Sequence, residues 1–137
     1  MLKPNRIEAV RAISPSKNMQ EIDMDDLGTI GVELQKRAKH PVYITLSEKG
    51  ALLITESSQH YLPAAPTKPP IDPVGAGDTF ISAIAASLAG GANPVEAGIV
   101  ANLAAGVVVK KLNITGTASP EEILKKFDES STAEEWP

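Results

Sequence analysis

Cysteine is absent from this chain of 137 residues, which excludes both a disulfide framework and a thiolate zinc site and fits a reducing compartment. Aromatic residues are scarce, with one tryptophan, two tyrosines and two phenylalanines. That is too little material for the stacking platforms that hold single-stranded nucleic acid. Thirteen basic against seventeen acidic residues give a net charge of -4, and the basic residues are spread out rather than gathered into a stripe that could track phosphates. A nucleic-acid partner is therefore not expected. No segment reaches the roughly 18 apolar residues of a membrane span, and the opening stretch MLKPNRIEAV lacks the apolar run of a signal peptide. A cytoplasmic chain without membrane contact is the expectation. What the chain does have is 42% hydrophobic and 22% charged residues, the balance of a folded globular protein long enough to bury a real core in one domain.

The order of elements follows from period and caps. Met1 and Leu2 read as the stub of a strand, and Asn5 offers a helix cap for Ile7 to Ile13. From Asp25 or Asp26, Leu27, Ile30, Leu34 and Ala38 recur at helical spacing and end on Lys39 and His40 before Pro41. The period then changes: VYITL (42–46) and ALLIT (51–55) are β-rich runs flanking the turn SEKG, and QHYLP is a short third. AAPTKPP (64–70), with three prolines, is an extended connection. TFISAIAASLA (79–89) is apolar on nearly every side and stops at Gly90 and Gly91, as a buried helix would. Asn93, Pro94 and Glu96 start another buried helix, about 94 to 112, and Ser119, Pro120 and Glu122 start a last amphipathic one to about Phe127. Residues 128–137 read as a polar, frayed tail apart from Trp136. Helix, strands, then helices too apolar for the surface imply an α/β layer fold with its sheet covered on both faces.

The chemistry concentrates in DPVGAGDTF, Asp72 to Phe80. Gly75, Ala76 and Gly77 are small enough for backbone to close on a ligand. If a helix begins near Gly77, its free N–H groups face the same point. Asp78 then lies in the first turn, where the positive helix end stabilises a carboxylate in the charged form that a proton acceptor needs. Phosphoryl transfer requires such amide donors and such a base. An ordinary helix start would carry the same residues, and on spacing alone both readings stand. The stretch is not a Walker loop, because no GK[ST] follows, and it lacks the third glycine of a dinucleotide fingerprint.

The full string DPVGAGDTFISAIA resembles the C-terminal signature of the ribokinase-like (PfkB) carbohydrate kinases at each position from Asp72 to Ala85. KPNRIEA is similar to the family's N-x-x-E motif and TLSEKGALL to its nucleotide-binding strand-turn-strand. ANLAAGVVVKKLNITGTASPEEI is similar to its closing helices, most of all to those of bifunctional heptose-phosphate kinase and adenylyltransferase proteins. The resemblance spans residues 1 to about 127 and implies a three-layer α/β/α sandwich of which this chain carries the C-terminal, nucleotide-binding part. It implies ATP and Mg2+ as cofactors, with a sugar or sugar phosphate as substrate. By the same resemblance Asp78 is the catalytic base, and the amides of Gly75, Ala76 and Gly77 form the anion hole. Asn5 and Glu8 organise phosphate and the magnesium shell through water, although N-x-x-E is also a capping box. Thr45, Ser47, Lys49 and Gly50 border the nucleotide; the family usually has glycine where Ser47 stands, and a turn lysine is often merely solvated. Asn102 corresponds to an adenine contact or else hydrogen-bonds within the core. Asp72, with the backbone near Val74 and Gly116, corresponds to a monovalent-cation (K+) site, its competing role being a turn residue bonded to its own backbone. His40 and His60 have no metal-ligand spacing and read as surface residues.

Members of this family are considerably longer, and the part preceding the matched segment contributes most sugar contacts and a lid that often forms the dimer interface. Residues 1–137 alone are therefore expected to bind nucleotide weakly and to turn over little, with the strand near Met1 available for association into a homodimer. Two other classes stay open: a non-catalytic nucleotide-binding module of the same fold, and a structural domain whose glycines only shape a turn.

Overall fold

In the computed structural model, which describes residues 1–133 and 136, the chain divides into two units, Met1–Leu62 and the residues from Pro63 onward. In the first, Asn5 caps α1 (Arg6–Ile13) and Asp23 caps α2 (Met24–Ala38), each through a complete capping box. Lys39 takes a left-handed conformation, φ 57°, and ends α2 just before Pro41. Arg6 donates to the carbonyls of Met19 and Ile22, which ties down the connection between the helices with its short 3-10 turn Met19–Glu21.

β1 (Val42–Thr45), β2 (Ala51–Ile54) and β3 (Gln59–Leu62) form an antiparallel sheet in that order. Val42 opposes Ile54 and Ile44 opposes Leu52, so these four share one face of the pleat. They form a core with Ala9 and Val10 of α1 and Leu27, Ile30 and Leu34 of α2. Each such buried aliphatic side chain contributes about 1.5–3 kcal/mol of transfer free energy. Along the other edge of β1, Leu2 and Asn5 make parallel bridges to Val42 and Thr45. The Leu2 amide donates to Pro41 O at 3.0 Å, and Leu2 O accepts from Tyr43 N at 2.9 Å. The strand stub expected at Met1 and Leu2 is present.

The second unit holds α3 (Ala76–Ala89), α4 (Pro94–Val108) and α5 (Pro120–Ser131). Asn93 and Ser119 cap α4 and α5 with proline at the helix start, as their sequence signatures require. α4 stops at Val108, short of residue 112. Beyond it the backbone tightens to bonds over three residues, Lys110 N to Val107 O and Lys111 N to Val108 O, and Asp72 then takes the place of a bond between Asn113 N and Val109 O: the Asp72 amide donates to Val109 O at 2.7 Å and the Asn113 amide donates to Asp72 Oδ2 at 3.1 Å. α3 is less covered than its apolar composition suggested. Only Phe80 and Ile84 are buried in it, and Ile81 is 37% exposed, because within this unit its packing against α4 covers one stripe.

α5 runs past Phe127 to Ser131, and Ser130 is buried. Trp136 is buried with Ala65 and Leu103, and its ring meets Phe127 edge-on, centroids 6.1 Å apart. The expectation of a frayed tail fails at these positions, because an apolar ring has a core to join; Glu134, Glu135 and Pro137 lie outside the described residues.

The segment 63–70 is extended, and side-chain donors hold it. Asn102 Nδ2 donates to Pro63 O at 3.0 Å, as does Trp136 Nε1 at 3.3 Å. Lys126 Nζ donates to Pro66 O, and Lys110 Nζ to Lys68 O at 3.0 Å and Pro70 O at 3.3 Å. Asn102, Gly106 and Lys110 recur every fourth residue on or just beyond α4, a spacing that puts them on one stripe. A Cβ on Gly106 would stand 3.4 Å from Ala65 Cβ and 3.1 Å from Lys126 Cε, so a glycine lets the segment lie close.

Candidate active site

α3 begins on a glycine rather than on a side-chain cap. Gly75 has φ 83° and ψ -8° and makes no capping bond, a left-handed conformation that glycine adopts without the cost a Cβ imposes. A Cβ there would also touch Thr115 Cγ2 at 3.4 Å. The Ala76 amide closes the turn on Pro73 O at 3.1 Å, and Thr79 N donates to Gly75 O at 3.0 Å. Among the described residues, the amides of Gly75, Gly77 and Asp78 have no backbone acceptor, as expected of a helix start. Of the three amides expected in the anion hole, Ala76 is thus already engaged by its own turn. The Asp78 amide, an additional donor, was legible only once the helix start was fixed at Ala76. The Asp78 side chain is exposed beside these donors, so a carboxylate and free amides meet within one helical turn.

Asp72 performs the turn role. Oδ1 accepts from Val74 N at 3.0 Å and Oδ2 from Asn113 N, which fixes the chain on both sides of Pro73. Among the described residues no group of three or more His, Cys, Asp or Glu side chains could hold a metal ion. His40 and His60 are exposed.

In the first unit Asn5 and Glu8 form a reciprocal capping box, Glu8 N to Asn5 Oδ1 at 2.9 Å and Asn5 N to Glu8 Oε2 at 2.8 Å. Asn5 also bridges Thr45, so three of the expected nucleotide-side residues are neighbours. Beyond Thr45 the strand-turn-strand passes through a 3-10 turn, Ser47–Lys49. Ser47 has φ 56° and Gly50 φ 99°, and the former explains why glycine suits the position of Ser47. Lys49 is exposed, and its carbonyl accepts from the Tyr61 hydroxyl at 2.6 Å.

Asn102 makes the core hydrogen bond that was one of its two expected roles. It is 5% exposed, and its amide nitrogen is bound to Pro63 O. That bond ties α4 to the extended segment that precedes the α3 loop.

The pattern of the pfkB family carbohydrate kinases matches residues 1–122. The bifunctional protein HldE of Aeromonas hydrophila subsp. hydrophila is 40% identical over 124 residues, 90% of this chain and 25% of that protein. HldE of Nitratiruptor sp. is 38% identical over the same shares. Ribokinase from Thermotoga maritima superposes with a TM-score of 0.78 at 24% identity, covering 92% of this chain and 41% of that one. Phosphofructokinase-2 from Escherichia coli, solved in complex with potassium, gives 0.79 at 24%, covering 95% and 41%. The fold is ribokinase-like α/β, and the chain spans about a quarter of the HldE relatives and two-fifths of the solved kinases. With a specific signature from Asp72 to Ala85, a family match over nearly its whole length and this fold, the chain belongs to the PfkB family of carbohydrate kinases.

Proposed function

We propose that residues 1–127 are the nucleotide-binding, base-carrying part of an ATP-dependent sugar kinase that acts in the cytoplasm on a sugar or sugar phosphate. The observation that carries this reading is the start of α3: an uncapped helix end with free amides at Gly77 and Asp78 and an exposed carboxylate in the same turn. Free amides at a helix N-terminus suit a phosphoryl group, so the residues present fit a nucleotide phosphate. Asp78 accepts the proton of the sugar hydroxyl, and the amides of Gly75, Gly77 and Asp78 face the charge that develops on the phosphoryl oxygens. When bound, ATP with magnesium supplies the transferable phosphoryl group and offsets its charge. Thr45, Ser47, Lys49 and Gly50 border the nucleotide, and Asn5 and Glu8 order the water around magnesium. Asp72 and the Val74 backbone hold a monovalent cation, supported by the potassium complex of phosphofructokinase-2.

Asp78→Asn tests the base in a chain extended to the length of the matched relatives. Turnover in a coupled ADP-release assay is expected to fall about 10²- to 10⁴-fold, with ATP affinity largely retained. Unchanged turnover refutes the assignment. For residues 1–137 alone, weak ATP binding without sustained turnover is expected.

A further inference from the structure

We propose that Lys110 is a positioning residue for the α3 loop, a role that rests on the phosphoryl-transfer reading above. The segment before that loop is poor in donors. Pro63, Pro66, Pro69 and Pro70 carry no N–H, so the chain can be gripped there only through its carbonyls. The side-chain bonds that hold it from outside among the described residues have this form, a donor from Asn102, Trp136, Lys126 or Lys110 reaching a backbone oxygen. Lys110 is the donor nearest the loop. Its ammonium bonds two carbonyls, Lys68 and Pro70, immediately before Asp72. The next attachments are Asp72 N to Val109 O, Asn113 N to Asp72 Oδ2 and Val74 N to Asp72 Oδ1. Lys110 and its neighbours thus anchor the chain from Lys68 to Val74, and Gly75 follows with its left-handed turn. The path on which Gly77 and Asp78 are displayed is set by the C-terminal end of α4.

The clamp predicts a difference between two lysines on the same segment. In the full chain, amide hydrogen exchange at Asp72, Val74, Ala76 and Thr79 reports opening of the loop. Lys110→Met is expected to speed that exchange roughly threefold to tenfold, the effect of losing both bonds of one exposed ammonium, each at the weak end of the range for a hydrogen bond, and to weaken binding of ADP with magnesium by a similar factor. Lys110→Arg, which restores donors, is expected to recover both. Lys126→Met, which releases Pro66, is expected to leave the loop amides unchanged. If the wild-type loop amides shift with ADP and magnesium but Lys110→Met alters neither exchange nor affinity, the positioning role is overturned while the functional reading stands. Loop amides that do not respond to ADP and magnesium in the wild-type chain overturn that reading and, with it, this proposal.

Discussion

Two glycines of α2 should respond with opposite signs to the same substitution. A Cβ on Gly31 would stand 2.5 Å from Ile54 Cγ1, 3.1 Å from Ile54 Cδ1 and 3.3 Å from Ile44 Cδ1. Both isoleucines are fully buried in the sheet, so neither has space to swing into. Carbon atoms settle at about 3.5–4.0 Å, which requires roughly 1 Å of movement between helix and sheet. Overpacking of this kind costs about 1–3 kcal/mol, against the gain of about 1 kcal/mol that alanine brings over glycine in a helix. Gly31→Ala is therefore expected to destabilise by about 1 kcal/mol. At Gly28 the nearest atom is Gln59 Oε1, 2.6 Å away, the far end of a flexible, exposed side chain. It can turn aside, so Gly28→Ala keeps most of the helix gain and stabilises by up to ~1 kcal/mol. Urea unfolding followed by circular dichroism separates the two, and the melting temperatures should move apart by several degrees. Ile54→Ala in the Gly31→Ala background should show favourable coupling in a double-mutant cycle. If Gly31→Ala stabilises as much as Gly28→Ala, the close seating of α2 on the sheet is refuted.

Ser47→Gly should stabilise by about 0.5–1 kcal/mol, because φ 56° strains a residue with a Cβ; an unchanged or lower urea midpoint counts against the strained turn. Asn102→Leu should cost about 0.5–1.5 kcal/mol, since the Pro63 carbonyl loses one of its two donors and keeps Trp136 Nε1, and Trp136 fluorescence should report the altered surroundings of that carbonyl. The Glu122 carboxyl is held below its usual 4.5, first by a hydrogen bond from Lys111 and then by the Ser119 amide. A depressed folded value gives stabilisation that is present above 4.5 and lost as pH falls through the lowered value. Protection of the amides in residues 111–122, taken relative to their intrinsic exchange rates, should therefore fall on acidification through that range, and Lys111→Met should flatten the dependence; an identical profile in the variant counts against the pair.

The starts of α4 and α5 were legible because Asn93 with Glu96 and Ser119 with Glu122 interact over three residues, a range the sequence displays directly. Three short strands and their turn were legible for the same reason. The end of α4 was not, because its last turn tightens at Lys110 and Lys111 and Asp72, distant in sequence, binds the Val109 carbonyl and the Asn113 amide beyond it. Asn102 pointed both ways because its bond to Pro63, 39 residues away, is not written in its neighbours. The burial of α3 was overestimated, since an apolar pattern states what a helix can bury and not what covers it. In the candidate site, the residue types of Gly75–Asp78 were readable, while the engagement of the Ala76 amide by Pro73 depends on turn geometry that four letters leave open.

A helix cap is a ligand tethered to its own receptor. α1, α2, α4 and α5 each carry one, an Asn, Asp or Ser side chain held within reach of the first amides. At the effective concentration of a short tether, such a group competes with anything arriving from solution. α3 carries no such competitor. Among the described residues four α-helix starts are occupied from within, and the fifth, by the side chain it omits, leaves its first amides open to solvent.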